Sequence, residues 1–215
     1  MKRRISQTKN TKNPAVVSYD DETHSYTVDG KRVPSVTEIT SVLTAGKYAD
    51  VNAAMLAQAQ RRGTEVHELC EAIDCGIDPE ELEIAPELVG YVNAYLAFLR
   101  DYSPEWDYLE KIVHTSEYAG RADRIGYIDG KKAVVDIKTT ANMDRISKLA
   151  LFFQLRAYGE AVGGVQTGLG VQLRSNGRYT VHRMEKIRDN YLTGANPGFL
   201  WEAMLAVTKI IGGYQ

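Results

Sequence analysis

The segment GRADRIGYIDGKKAVVDIK, residues 120–138, is the part of the sequence that most strongly predicts the fold. Asp129-Gly130 is a strong signal for a tight hairpin turn, so the pattern predicts two antiparallel strands over 119–128 and 131–138. The second strand includes AVVDI, residues 133–137, which is almost entirely apolar. Such a run is typical of a central strand that is covered on both faces of its sheet.

The centre of this hairpin also determines which charged side chains meet. If the pairing is centred between residues 129 and 130, Asp123 lies opposite Asp136. Residues two apart on a strand point to the same face, so Lys138 projects beside Asp136. Like charges directly opposite each other destabilise a sheet, and a divalent cation such as Mg²⁺ or Mn²⁺ would compensate them. For the Asp136–Lys138 pair alone, an ordinary surface ion pair is the alternative.

Outward from the hairpin, predicted strands and helices alternate, and we therefore predict an α/β fold. Further strands are predicted over 108–115, 165–173 and 178–184, with additional β-structure over 15–33. Helices are predicted from Ser35 to about Gly46 and over 50–74, 86–101, 145–162 and 187–210, the last with a break at 196–198. We expect one domain over 14–215, preceded by a basic disordered tail over 1–13.

Composition and charge exclude several classes of function. No apolar run approaches the ~20 residues of a membrane span, and the first residues lack the apolar region of a secretory leader. We therefore expect a cytoplasmic protein without a membrane partner. The net charge is only −2, but acidic and basic residues lie in different segments of the chain. Residues 65–88 contain nine acids and no Lys or Arg, whereas residues 121–183 contain eleven Lys or Arg and five acids. The basic segment is compatible with a nucleic-acid partner.

Several chemistries lack their motifs in this chain. Cys70 and Cys75 are too few for a four-cysteine zinc or iron–sulfur site and fit a reducing compartment, so we expect two incidental thiols. The sequence has no G-x-x-x-x-G-K-[ST] loop, and we expect no nucleotide cofactor. No Ser/His/Asp or Cys/His nucleophile set is evident.

The residues of the central hairpin resemble the PD-(D/E)XK nuclease superfamily. Residues 120–123 (GRAD) correspond to its G-x-x-D form, and Asp136-Ile137-Lys138 corresponds to its D-x-K triplet. The resemblance implies a restriction-endonuclease-like core, with a central mixed β-sheet flanked by helices. It also implies a metal-dependent nuclease that uses one or two Mg²⁺ or Mn²⁺ ions and no side-chain nucleophile.

Three further motifs resemble the RecB-like exonuclease branch of that superfamily. Gln154 and Tyr158 form its Q-x-x-x-Y motif, and residues 63–67 (GTEVH) resemble its helical histidine motif. Residues 34–37 (PSVT) resemble a segment of phage exonucleases and of the mitochondrial genome maintenance exonuclease. The likeness spans about residues 33–160. It implies a DNA exonuclease in phage or bacterial DNA recombination, repair or replication, located in the cytoplasm of a bacterial or phage-infected cell.

The resemblance implies a set of site residues. The implied catalytic residues are Asp123, Asp136, Lys138, Gln154 and Tyr158. The implied metal ligands are His67, Glu110, Asp123, Asp136 and the carbonyl of Ile137. A solvated strand residue is an equal alternative for Glu110, and an ordinary core-edge position is the alternative for Tyr158. The cysteine count excludes the iron–sulfur version of the branch.

DNA is the expected partner, and the expected DNA contacts are Arg121, Arg124, Gln154, Arg156 and Tyr158. A single-strand annealing or single-strand-binding protein and a homo-oligomer are both compatible with the resemblance. A DNA endonuclease of the same fold is the close alternative. Two further alternatives are a catalytically inactive DNA-binding accessory protein of recombination and a metalloprotein that is not a nuclease.

Overall fold

A computed structural model describes residues 15–47 and 51–214, so the predicted tail over 1–13 lies outside the described residues. The strands of the described part are β1 (Val17–Asp20), β2 (Ser25–Val28), β3 (Lys31–Val33), β4 (Glu105–His114), β5 (Ala119–Ile128), β6 (Lys131–Lys138), β7 (Thr167–Leu173) and β8 (Tyr179–Arg183). Its α-helices are α1 (Val36–Thr44), α2 (Ala53–Asp74), α3 (Val89–Tyr102), α4 (Arg145–Val162), α5 (Met184–Tyr191) and α6 (Pro197–Gly212). Within this part, no helix is long and apolar enough to cross a membrane.

The central element is a five-stranded sheet with the order β4-β5-β6-β7-β8. Only the β6–β7 pair is parallel, because α4 crosses over the sheet between these two strands, and the other pairs are antiparallel. A separate antiparallel sheet contains β1, β2 and β3. The predicted α/β class is confirmed: the structure has a central mixed sheet flanked by helices.

The hairpin of β5 and β6 has the predicted register. Arg124 pairs with Val135 and Ile128 pairs with Lys131, which centres the turn between residues 129 and 130. Asp129 and Gly130 both have positive φ, 51° and 69°, as a tight two-residue hairpin turn requires. The sequence therefore predicted this pairing correctly.

Helices cover both faces of β6, as its apolar run indicates. Val134 packs into a core with residues of α1, α4, α5 and α6, including Leu151 and Trp201. Val135 and Ile137 pack into the opposite core with α2 and α3. Cys70 belongs to this second core, where burial raises the pKa of its thiol, and Cys75 is exposed.

Local capping determines where the helices begin. Ser35 Oγ accepts a hydrogen bond from the Glu38 amide (3.0 Å), and the Glu38 carboxylate accepts one from the Ser35 amide (2.7 Å), which together form a capping box at the predicted start of α1. The predicted helix over 187–210 is broken slightly before the expected 196–198, because α5 ends at Tyr191 and α6 begins at Pro197. There, Asn196 Oδ1 accepts from the Gly198 amide at 2.9 Å and Pro197 occupies the first turn of α6.

One strand differs from its prediction in a way that matters for the site. β4 begins at Glu105, three residues before the predicted start, and its register with β5 shifts between Trp106 and Tyr108. The shift brings the β4 backbone close to Gly126, where an added Cβ would lie 2.0 Å from the Glu105 carbonyl oxygen. Only glycine fits there without movement of backbone, because the neighbouring atom belongs to the main chain.

We expect Gly126→Ala to lower the free energy of unfolding by about 1–3 kcal/mol, because β4 must move away from the new methyl group. Urea unfolding followed by circular dichroism measures the change. Gly46→Ala is the matched control, since a Cβ at Gly46 meets nothing within 4 Å. Equal stability of the two variants would contradict the tight approach of β4 to β5.

Candidate metal and catalytic centre

Two aspartates and a lysine lie close together at the end of the β5–β6 hairpin that is farthest from its turn. Asp123 Oδ2 accepts a hydrogen bond from the Ile137 amide at 2.7 Å, so the carboxylate is fixed against the β6 backbone. Asp136 is buried, and its Oδ2 lies 2.8 Å from Lys138 Nζ. The structure therefore places Asp123, Asp136 and Lys138 at one end of the hairpin, as their register requires.

The surroundings of Asp136 disfavour the negatively charged form of its carboxyl group. Burial raises the pKa of its carboxyl to about 6, the Lys138 ammonium opposes that rise, and the Asp123 carboxylate adds to it. A buried carboxylate next to another carboxylate keeps its charge only with compensating positive charge. Lys138 supplies part of this compensation.

Helix α2 brings His67 to the same place. Its neighbours Val66 and Cys70 are buried in the second core, which fixes the rotation of the helix. His67 Nε2 lies 3.0 Å from the Ile137 carbonyl oxygen, and because a carbonyl only accepts, Nε2 donates this hydrogen bond. In the neutral ring, Nδ1 then presents a lone pair towards Asp123 Oδ2, 3.7 Å away.

Glu110 reaches the centre from β4 through an unusual backbone conformation. Its φ is 47°, in the left-handed region that a residue with a side chain rarely adopts. Burial and the Asp123 carboxylate both raise the pKa of Glu110. One ligand atom each from Glu110, His67 and Asp123 lie within 4.8 Å of one another, a spacing that could hold a metal ion.

A buried arginine holds the Glu110 carboxylate from behind. Arg124 is wholly buried, and it donates from Nη1 to Glu110 Oε1 at 3.0 Å and from Nε to Asp74 Oδ2 at 2.5 Å. Asp74 also accepts hydrogen bonds from Tyr95 Oη (2.5 Å) and Trp106 Nε1 (3.0 Å). The prediction that Arg124 contacts DNA is therefore wrong, because its guanidinium points into the protein and is paired with the carboxylates of Asp74 and Glu110.

Sequence reasoning did not identify Asp74, Tyr95 or Trp106 as supports of the site. Asp74 lies in the acidic segment 65–88, where it resembles any solvated helix acid. Nothing in the local pattern reveals that its helix ends against a buried arginine fifty residues away. An arginine directly after a candidate metal ligand was the only available signal.

Helix α4 contributes the Gln154–Tyr158 pair. Lys138 Nζ donates to Gln154 Oε1 at 3.0 Å, and Gln154 Nε2 donates to Tyr158 Oη at 3.1 Å. Asp136, Lys138, Gln154 and Tyr158 thus form one continuous polar chain. Burial raises the pKa of Tyr158 well above its ordinary value, so its hydroxyl stays neutral.

The predicted contact of Tyr158 with DNA is also wrong. The ring is buried against Gly120, where an added Cβ would lie 2.8 Å from Tyr158 Cε1. The hydroxyl therefore supports Gln154 from within the protein. Gln154 itself is half-buried.

The two other arginines predicted to contact DNA lie in different places. Arg121 is half-exposed beside the centre, with Nε 3.4 Å from Glu110 Oε2 and the guanidinium carbon 5.7 Å from the centre of the Tyr19 ring. Arg156 follows Gln154 by two residues, about 200° around α4, and lines a groove with Met184. The structure thus keeps Arg121 at the centre and turns Arg156 away from it.

Comparison with known proteins gives matches only among solved structures: no protein-family model and no curated protein matches the sequence. The alkaline exonuclease LHK-Exo from Laribacter hongkongensis matches with a TM-score of 0.37 and 12% identity, over 84% of this chain and 93% of that chain. LHK-Exo in complex with dAMP matches over the same shares, with 12% identity and a TM-score of 0.36. SSO0001 matches with a TM-score of 0.32 and 15% identity, over 76% of this chain and 77% of its own.

Proposed function

We propose that this protein is a metal-dependent DNA nuclease that hydrolyses phosphodiester bonds. The observation that carries the proposal is the convergence of Asp123, Asp136 and Lys138 with His67 and Glu110 at one end of the central hairpin. Exonuclease action is favoured by the motifs that resemble the RecB-like branch. On the same resemblance, we assign the activity to phage or bacterial DNA recombination, repair or replication.

The donor atoms fit a hard divalent cation. Glu110 and Asp123 offer carboxylate oxygens and His67 offers the Nδ1 lone pair, a set that suits Mg²⁺ or Mn²⁺. Asp136 and the Ile137 carbonyl border the same place and complete the set of ligands that we propose. A bound divalent ion would polarise the phosphoryl oxygen and lower the pKa of a water molecule.

The protein's own residues orient the attack. Lys138 Nζ lies between Asp136 and Gln154, so its ammonium is held at the end of the hairpin, close to the proposed metal ligands. We assign it the role of orienting the water and offsetting the negative charge that develops on the phosphate. Tyr158 keeps the Gln154 amide in place. Arg121, exposed beside Glu110, binds a DNA phosphate in this proposal.

Digestion of end-labelled single- and double-stranded DNA tests the proposal. With Mg²⁺ or Mn²⁺ we expect degradation that EDTA abolishes, and release of labelled mononucleotides from one end would identify an exonuclease and its polarity. Internal fragments without early end-label release would identify an endonuclease. If DNA of both kinds stays intact with both metals, the proposed function is wrong.

We expect Lys138→Ala to lower kcat by roughly 10²–10³-fold while leaving DNA binding within about threefold, because Lys138 acts on the reacting phosphate. Single-turnover cleavage and fluorescence anisotropy measure the two quantities. Lys131→Ala, at the exposed start of the same strand, is the control and should cleave normally. Undiminished cleavage by Lys138→Ala would remove the lysine from the mechanism.

We expect Asp136→Asn to stabilise the metal-free protein above pH 6 and to reduce its response to Mn²⁺. The pKa of Asp136 is raised, so its contribution to stability is highest below about pH 4 and is lost as the pH rises towards 6. Asparagine removes this loss but supplies no charge for a cation. Thermal melts at pH 7.5 should show a Tm higher by about 2–4 °C without metal and a smaller rise on adding MnCl₂.

The matched control for that experiment is Asp21→Asn, which removes an exposed carboxylate in the turn after β1. Its melts should follow the wild type with and without Mn²⁺. An Asp136→Asn protein that gains the full Mn²⁺-dependent increase in Tm would show that Asp136 is not a ligand.

The two arginines that flank Asp123 should behave in opposite ways. Arg121→Ala should weaken DNA binding and lower the salt dependence by about one ion, with unchanged stability, because Arg121 is half-exposed. Arg124→Ala should lower the free energy of unfolding by about 3–5 kcal/mol, because Asp74 and Glu110 lose their buried counter-charge. Urea unfolding and salt titrations of DNA affinity distinguish them, and an exchange of the two outcomes would contradict the structure.

A further inference from the structure

Helix α6 has two apolar faces, and the described residues, 15–47 and 51–214, cover only one of them. Trp201, Met204 and Leu205 are buried in the core beside α4. On the opposite side, Phe199 is 70% exposed, Ile210 is 81% exposed and Ile211 is 80% exposed, with Leu200 and Val207 partly exposed beside them. A helix that is apolar on all sides is normally covered on all sides.

The exposed residues form one stripe along α6, which we call the α6 stripe. Its members are Phe199, Leu200, Ala203, Ala206, Val207, Ile210 and Ile211. At 3.6 residues per turn they fall on one side of the helix, and the stripe contains no charged residue. Its apolar area is on the order of 500 Å², at the upper end of what monomeric proteins expose in one patch.

The α6 stripe is nearly symmetric about residue 205. Phe199 and Ile211 lie six residues from that point, Leu200 and Ile210 lie five, and Ala203 and Val207 lie two. An antiparallel copy of the same helix would therefore place large side chains against large ones at both ends. Near the middle, Ala203 and Ala206 are small enough to let two helices approach closely.

The charges beside the stripe have the same symmetry. Glu202 and Lys209 lie on one edge of α6, three and four residues from position 205. In the antiparallel arrangement, Glu202 of each copy lies beside Lys209 of the other copy, while Lys209 keeps its contact with Glu117 at 3.1 Å. The helix dipoles would also be opposed, which is favourable.

We propose that the α6 stripe is the interface of a two-fold symmetric dimer of this protein. A symmetric pattern on one helix fits an isologous contact, in which the same surface of both copies meets itself. Two stripes together would bury about 1,000 Å², the size at which specific interfaces begin. The basic segment 1–13 is a poor occupant, because Ile5 is its one large apolar residue after Met1. The dimer is independent of the proposed nuclease activity.

Sedimentation equilibrium of the full chain tests the dimer. We expect a species of about 48 kDa, twice the 23.9 kDa of one chain, at micromolar concentrations. Ile210→Lys should raise the dissociation constant by roughly tenfold or more, because it buries an unpaired charge in the stripe. Val16→Lys is the matched control, since Val16 is also largely exposed but lies before β1. Monomers at all concentrations, or a dimer insensitive to Ile210→Lys, would overturn the proposal.

Disulfide trapping tests the antiparallel register in a Cys75→Ser background, which removes the exposed native thiol. Ala206→Cys lies one residue from the symmetry centre, so two copies should cross-link readily under mild oxidation. Phe199→Cys is more exposed, but its two copies lie about 18 Å apart along the helix axes and should not cross-link. Cross-linking through both positions would indicate nonspecific association. Cross-linking through Phe199→Cys alone would indicate that the two helices pair in a different register. Either result, or no trapping at Ala206→Cys, would overturn this arrangement.

Discussion

Keeping three carboxylates together out of water is the constraint on which the rest of the site depends. Glu110, Asp123 and Asp136 converge at the end of the central hairpin, where burial and, to a smaller extent, the neighbouring Asp123 carboxylate raise the pKa of both Glu110 and Asp136. The protein supplies positive charge from two sides: Arg124 lies behind Glu110 and Lys138 beside Asp136. Asp123 receives a backbone hydrogen bond and faces His67. The remaining place between the carboxylates and His67 is the one that a divalent cation would fill.

The fold meets this constraint with supports from both faces of one sheet. On one face, α2 carries His67 and ends at Asp74, so a single helix both borders the centre and anchors its buried arginine. On the other face, α4 holds Gln154 and Tyr158 against Lys138. The central strand β6 therefore has to be apolar between its charged residues, because helices pack on both of its sides. The same apolar run made the strand recognisable in the sequence.

What the sequence predicted well was local: the Asp129-Gly130 turn determines the hairpin register, and the register brings Asp123 towards Asp136. What it could not predict depends on distant parts of the chain. Arg121 and Arg124 flank the same aspartate and look equivalent in the sequence, but only Arg124 meets the end of α2 and the bulged strand β4. Strand alternation places them on opposite faces of β5, but it does not indicate which of the two is buried, because β5 is buried on both faces over most of its length. Tyr158, in a motif expected at DNA, is likewise buried by a distant part of the chain, because its ring packs against Gly120.

The backbone conformation of Glu110 depends on the buried hydrogen-bond network around Arg124. A residue with a side chain in the left-handed region carries a strain of about 1–3 kcal/mol, and it persists only where its surroundings over-determine it. Arg124 fixes the position of Glu110. Its guanidinium is itself held by Asp74, so it can bind the Glu110 carboxylate in only one position. Asp74 in turn is fixed by Tyr95 and Trp106, so the backbone conformation of Glu110 depends on a chain of contacts that runs from α3 through α2 to β5. The buried network therefore maintains the strained backbone and keeps the Glu110 carboxylate close to Asp123 and His67.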